Sequence, residues 1–186
     1  PHLSQSGRFA VVHNGIIENY RVLKDELIEK WYTFDSDTDT EIVAKLFEDL
    51  FLPGWEGWKD PHIVTLERVI SKIEWAFGLV FIDREYPDRI FGAKKGSPLV
   101  IWFAPRVDGG PSERFVSSDY RSLIGLIDTY IILEDGDIFL MTPTDYTILS
   151  GENLAERSLR KVDETEKFSA LSDFPHFMLQ EIWEQP

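Results

Sequence analysis

The spacing of apolar residues changes near residue 74 of this chain, and that change limits the folds open to it. After a first strand-like run, FAVV from Phe9, the apolar positions recur at helical intervals from residue 19 to 74; beyond that they come in short strand-like runs. Residues 19–31 place Val22, Leu23, Leu27, Ile28 and Trp31 on one side of a helix that Asn19 can cap. The stretch TDTEIVAKLFEDLF gives a second helix with Ile42, Val43, Leu46, Phe47 and Leu50 on one face. A breaker-rich loop, PGWEGWKDP, separates it from a third helix over 63–74. The runs FGLVFID, RIFGAK, PLVIWF and RFVSS follow, then a short helix near 120–126. TYIILE, DIFLM and YTIL come last, spaced by short turns as in an antiparallel meander. Helices first and strands second predict an α+β fold of stacked sheets covered by helices.

At 186 residues the chain is long enough for one domain with a substantial core, and 43% apolar content rules out intrinsic disorder. A formal charge of −14 repels phosphate backbones, which argues against nucleic acid as a partner. No apolar run approaches the length of a membrane span. The absence of cysteine removes disulfides, thiolate metal sites and a thiol nucleophile from these residues, and fits a cytoplasmic protein. The chain starts at Pro1-His2 without Met and stops at Gln185-Pro186, so an excerpt of a longer polypeptide is expected, a single partial domain. Residues 150–172 are polar and weakly patterned and read as a surface excursion. Residues 173–186 are amphipathic again.

Two stretches invite a chemical reading. In VVHNGIIEN an apolar run meets His13-Asn14-Gly15 and resumes toward a helix. Asn-Gly marks tight turns because both residues tolerate positive φ, but helical spacing from Asn19 argues against a simple hairpin. The expectation is a buried strand ending at Asn14-Gly15, with a backbone N–H and a side-chain amide together at its end. The second stretch is Asp35-Ser36-Asp37-Thr38-Asp39-Thr40-Glu41. Its spacing rejects a calcium loop, since Thr40 stands where Gly is needed and Leu46 where a bidentate Glu is needed. Thr38 and Glu41 fit a capping box in front of the second helix. Asp39 suits the positive end of the helix dipole, the reading that spacing favours; it could also turn outward as a carboxylate for a ligand ammonium.

Other signals carry less. Gly96-Ser97-Pro98 lacks the second Gly of a nucleophile elbow, and Ser117-Ser118-Asp119 caps the short helix after it. His2, His13, His62 and His176 show no metal-ligand spacing, and His13 reads as a polar strand residue. Lys94-Lys95 reads as a solvated turn, and no Gly-rich phosphate loop is present.

VVHNGIIENY, SDTDTE, AFGLVFID, KKGSPLVI, FVSSD, ILEDGDI and HFMLQEIWEQP occur in this order. Together they resemble the glutaminase domain of the glutamine–fructose-6-phosphate amidotransferase family, the class II glutamine amidotransferases of hexosamine synthesis. The resemblance implies an N-terminal-nucleophile hydrolase fold, two antiparallel sheets between helix layers (αββα), incomplete here at its N-terminus. It implies that a cysteine attacks the side-chain amide of L-glutamine, with Asn14 and Gly15 as the oxyanion hole and Asp39 holding the α-ammonium. The released ammonia would aminate fructose 6-phosphate in an isomerase domain of the same parent chain, with residues 173–186 starting the connection to it. No metal or cofactor is implied. Partners are glutamine and that isomerase domain, through which a homo-oligomer is expected to form.

The chain departs from the family pattern in several places. The family's nucleophilic Cys and its Arg-Trp-x-x-His segment would lie before Pro1, so the excerpt alone is expected to be inactive. Trp31 stands where the family usually has the Gly that closes the helix. The loops FLPGWEGWKD and FAPRVDGGPSER have no counterpart. The alternatives are another class II amidotransferase, against which EIWEQP argues, and a non-catalytic glutamine-binding or assembly module on the same fold.

Overall fold

Among the described residues, two antiparallel sheets carry the fold, and three α-helices cover one of them. The computed structural model describes residues 1–54, 57–104, 113–123, 127 and 129–162. The larger sheet runs β1 (His2–Leu3), β2 (Phe9–Ile17), β3 (Trp75–Asp83), β4 (Tyr86–Lys95), β8 (Asp137–Met141), β9 (Tyr146–Ser150) and β10 (Asn153–Leu154) in spatial order. The smaller one runs β11 (Arg160–Lys161), β7 (Thr129–Ile132), β5 (Val100–Phe103) and β6 (Arg114–Ser117). The helices are α1 (Tyr20–Glu29), α2 (Asp39–Leu50) and α3 (Pro61–Lys72).

Strand alternation builds one core on each face of the larger sheet. Toward the helices it buries Phe9, Val11, Ile17, Phe77, Leu79, Phe81 and Phe91. Phe47 of α2 meets Phe9, Phe81 and Phe91 there, with ring centroids 4.9, 4.6 and 5.5 Å apart. Toward the smaller sheet, Phe139, Met141 and Ile148 pack on Ile101 and Ile131. Val100, Trp102 and Tyr130 form a third cluster with Leu123, Ile127 and Val162, on the face of the smaller sheet away from the larger one.

The structure corrects several sequence-based expectations. β2 does not end at Asn14-Gly15; it pairs with β3 without interruption from Phe9↔Asp83 to Ile17↔Trp75. The partner strand carries the chain past a dipeptide that in isolation would turn. Asn19 precedes α1 but makes no side-chain cap; its amide donates to Lys72 O at 2.7 Å and its carbonyl accepts from Glu74 N, tying α1 to the end of α3. The Thr38–Glu41 capping box is absent, because Glu41 reaches further back, to the N–H groups of Asp35 and Ser36 and the Ser36 hydroxyl. The expected meander is split: β8 and β9 form a hairpin, whereas β7 belongs to the other sheet. The cap of α3 is Asp60, whose carboxylate accepts from His62 N with Pro61 at the first turn. The amphipathic reading of 173–186 lies outside the described residues.

Trp31 closes α1 in a left-handed conformation, φ 69°, with 89% of its surface exposed. Tyr32 N–H bonds Leu27 O and Trp31 N–H bonds Ile28 O, the paired bonds of a Schellman end. Glycine adopts this φ without the steric cost that an L side chain incurs, and the exposed indole loses little packing. Trp31→Gly is therefore expected to stabilise the protein by about 1 kcal/mol, a rise of roughly 2–4 °C in melting temperature.

Among the described residues, Glu41, Asp83 and Asp60 are buried or half-buried carboxylates that make the fold sensitive to acid. Burial alone would push the Glu41 carboxyl up; Lys45, Ser36 and the Asp35 and Ser36 amides overcome that and hold it at about 2. Asp83, fully buried, is likewise held below the ordinary range by Arg8 and His62 against the pull of burial. Asp60 is lowered by His62 and Arg89 in the same way. Each folded-state value lies below its unfolded value. The stability that Glu41 confers is present above its unfolded value near pH 4.5 and is lost as pH falls toward about 2; Asp83 and Asp60 weaken the fold in the same direction on acidification. Melting curves between pH 6 and pH 2 check this, and Glu41→Gln should flatten the fall below pH 4.5.

Candidate active site

The register of β2 on β3 decides where the Gly15 amide points. In an antiparallel ladder, residues alternate between pairs that exchange backbone hydrogen bonds and pairs that do not. Arg84 N–H bonds Arg8 O, and Glu18 N–H bonds Glu74 O, at the two ends of this ladder. The even-numbered residues of β2 therefore bond to β3. The odd ones, His13, Gly15 and Ile17, turn their N–H groups to the other edge. β1 covers that edge only opposite Ala10 and Val11, so from His13 onward it is open among the described residues.

Asp39 stands on this open edge. As the first residue of α2, it accepts the Ile17 N–H at 2.8 Å through Oδ2. Its side chain is 23% exposed, so the carboxylate is reachable from solvent. Gly15 N lies two residues from Ile17 N, about 7 Å along the strand. The edge thus presents a free N–H and a carboxylate at a separation comparable with the reach of an extended glutamine.

Gly15 is the residue that makes this edge possible. Its φ is +136°, which L side chains rarely adopt, and a Cβ would stand 2.2 Å from Ala76 O and 2.9 Å from Ser97 Oγ. Asn14 is exposed and lies on the opposite strand face, across from Gly78, with the Pro98 carbonyl over that glycine. The loop Gly96-Ser97-Pro98 therefore borders the corner. Spacing gave no hint of this role, because the loop reaches the corner through β4 and β5.

His13 points the other way, toward the helices, and its side chain is 1% exposed. Its Nδ1 is 3.1 Å from Thr40 Oγ1, and Thr40 donates to Asp39 Oδ1 at 3.3 Å. Burial lowers the His13 pKa, against the opposing pull of Asp39, so the ring is neutral near pH 7. His13 and Thr40 escaped the sequence reading as site residues. The available signal was strand alternation, which puts His13 on the same face as Gly15 and Ile17.

Among the described residues no group of three or more His, Asp or Glu side chains is arranged to hold a metal ion, and no helix is long and apolar enough to cross a membrane. A polar cavity of about 560 Å³ beside α2, lined by Ser4, Gln5, Thr33, Glu41 and Lys45 among others, does not include Asn14, Gly15 or Asp39.

Comparisons with known proteins point one way. Residues 1–102 match the model of the glutamine amidotransferase domain. Over its full length the chain is 35% identical to a glutamine–fructose-6-phosphate aminotransferase [isomerizing] of Chlorobaculum tepidum, covering 29% of it. It is 37% identical to that of Shewanella oneidensis, again covering 29%, and 35% identical to that of Methanocaldococcus jannaschii, covering 17%. The chain thus spans less than a third of the length of these relatives. Among solved structures, the glutamine phosphoribosylpyrophosphate amidotransferase of B. subtilis superposes with a TM-score of 0.59 at 18% identity, over 82% of this chain and 31% of that one. A regulatory enzyme of purine biosynthesis gives 0.58 at 17% identity, over 78% and 29%. At these identities the two structures show the fold, that of the N-terminal-nucleophile amidotransferases.

Proposed function

This chain belongs to the glutamine amidotransferase family, and from that premise we propose that it is the glutamine-hydrolysing part of a glutamine–fructose-6-phosphate aminotransferase. Glutamine lies along the open edge of β2. Asp39 holds its α-ammonium. The Gly15 N–H and the Asn14 side-chain amide meet its side-chain carbonyl oxygen. Attack on that carbonyl drives negative charge onto the oxygen, and two fixed N–H donors stabilise the charge without reorganising. The thiol that attacks must come from outside these 186 residues, which hold no cysteine. The ammonia goes to fructose 6-phosphate in the isomerase part of the parent protein.

The observation that carries this reading is the pairing of an unpaired Gly15 amide with the Asp39 carboxylate on one strand edge. A carboxylate beside an amide-binding subsite selects a free amino acid over a plain amide, because only the former brings an ammonium.

Asp39→Asn in the full-length protein tests it. Asn keeps a first-turn residue that can still accept the Ile17 N–H, but loses the charge. The lost charge-assisted bond is worth about 1.5–3 kcal/mol, so KM for glutamine should rise roughly ten- to a hundredfold with kcat less affected. A lower melting temperature with unchanged KM would reduce Asp39 to a helix-start residue.

A further inference from the structure

Thr40 Oγ1 sits between His13 and Asp39, and only one arrangement of protons leaves no buried donor of the three without an acceptor. If the Thr40 hydroxyl donates to Asp39 Oδ1, its lone pair accepts from a proton on His13 Nδ1. His13 Nε2, buried and without a hydrogen-bond partner among the described residues, then carries a lone pair. The reverse arrangement points the hydroxyl at His13, strips Asp39 Oδ1 of its donor, and buries an Nε2–H with no acceptor. Orphaned buried donors are rarer and costlier than under-used acceptors.

We propose that His13 is a positioning residue for Asp39, acting through Thr40: the chain Nδ1–H to Oγ1–H to Oδ1 fixes the carboxylate rotamer that faces a substrate ammonium. The inference rests on the reading of Asp39 as the ammonium anchor. Two donors from different elements orient the carboxylate. Ile17 N–H of β2 holds Oδ2, and Thr40 of α2, itself held by His13 of β2, holds Oδ1. The Ile17 bond already ties strand to helix, so the His13–Thr40 arm is left to set the rotation of the carboxylate about its bond to Cβ. One lone pair on each oxygen stays available to a ligand. A carboxylate locked by two donors does not have to be ordered when the amino acid arrives, and the ordering cost on binding falls accordingly.

The test compares variants of the full-length protein by glutamate formation and by melting temperature. Thr40→Val keeps the β-branched shape without the hydroxyl; Thr40→Ser keeps the hydroxyl. His13→Leu removes the donor; His13→Asn returns an N–H close to the Nδ1 position. Thr40→Val and His13→Leu are expected to raise KM for glutamine about three- to tenfold with kcat within about twofold, the effect of one neutral hydrogen bond. Thr40→Ser and His13→Asn should bring KM back toward the parent value. A packing role would not give that rescue, nor the split between KM and kcat. If His13→Leu fails to fold, the Thr40 pair decides alone. Unchanged KM in Thr40→Val while Asp39→Asn raises it would overturn the positioning role and leave the anchor standing. Unchanged KM in Asp39→Asn itself would overturn the anchor, and this inference with it.

Discussion

In the full-length protein, Asn14→Ala is expected to lower kcat for glutamate formation by roughly 10²–10³, with little change in KM for glutamine. The split follows from when the bond is made. As the proposed oxyanion donor, the Asn14 amide would meet an uncharged carbonyl in the ground state and an oxyanion in the transition state, so its loss would fall on the barrier and not on binding. Stability should hardly change, because Asn14 is exposed and none of its side-chain atoms bonds to another described residue. Under the function proposed above, sugar isomerisation without ammonia belongs to a different part of the parent protein and should survive. Asn14→Gly separates this account from a purely conformational one: glycine meets any backbone demand at the position but offers no side-chain amide. Near-parental kcat in Asn14→Gly would remove Asn14 from the site.

The second large effect is at Gly15. Gly15→Ala introduces a Cβ 2.2 Å from Ala76 O at a φ of +136°, so the strand cannot keep its path. Relieving the overlap means breaking the β2–β3 ladder around the Gly15↔Phe77 pair or rotating the peptide that carries the Gly15 N–H. The first route costs stability on the order of several kcal/mol; the second turns the proposed oxyanion donor away from the open edge of β2. Either way glutamate formation should fall by at least about 10²-fold, the loss expected for one such donor. The melting temperature tells which route is taken.

The order of helices and strands was legible because it rests on apolar spacing, which local sequence carries. What failed were inferences in which a distant partner decides. Asn14-Gly15 has the positive-φ tolerance of a turn, and that same tolerance lets Gly15 stay in a strand once β3 pairs along the whole of β2. Nothing between residues 9 and 19 announces residues 75–83. Glu41 has the spacing of a capping box, but the loop before α2 folds so that Asp35 and Ser36 offer their amides first. Asp60-Pro61 was an available helix start inside a stretch that read as loop to its end. TYII looked like the first strand of a meander because short turns say nothing of which sheet the next strand joins.

The site was legible to a different degree. The spacing of Asp39 favoured a helix-start role and left a ligand role open beside it, and the structure shows why both readings arise. The residue begins α2, and it also turns its carboxylate to the open edge beside Ile17. Gly15 drew attention through its place in the Asn-Gly pair, for the wrong geometric reason. His13 and Thr40 are 27 positions apart and meet only because α2 packs on β2.

The most direct test of the account is a crystal structure of the full-length protein with glutamate bound. The account predicts that the α-ammonium lies within about 3 Å of an Asp39 carboxylate oxygen, with a side-chain carboxylate oxygen at hydrogen-bond distance from Gly15 N. Glutamate bound away from the open edge of β2, or lying along it in the opposite direction, would contradict it.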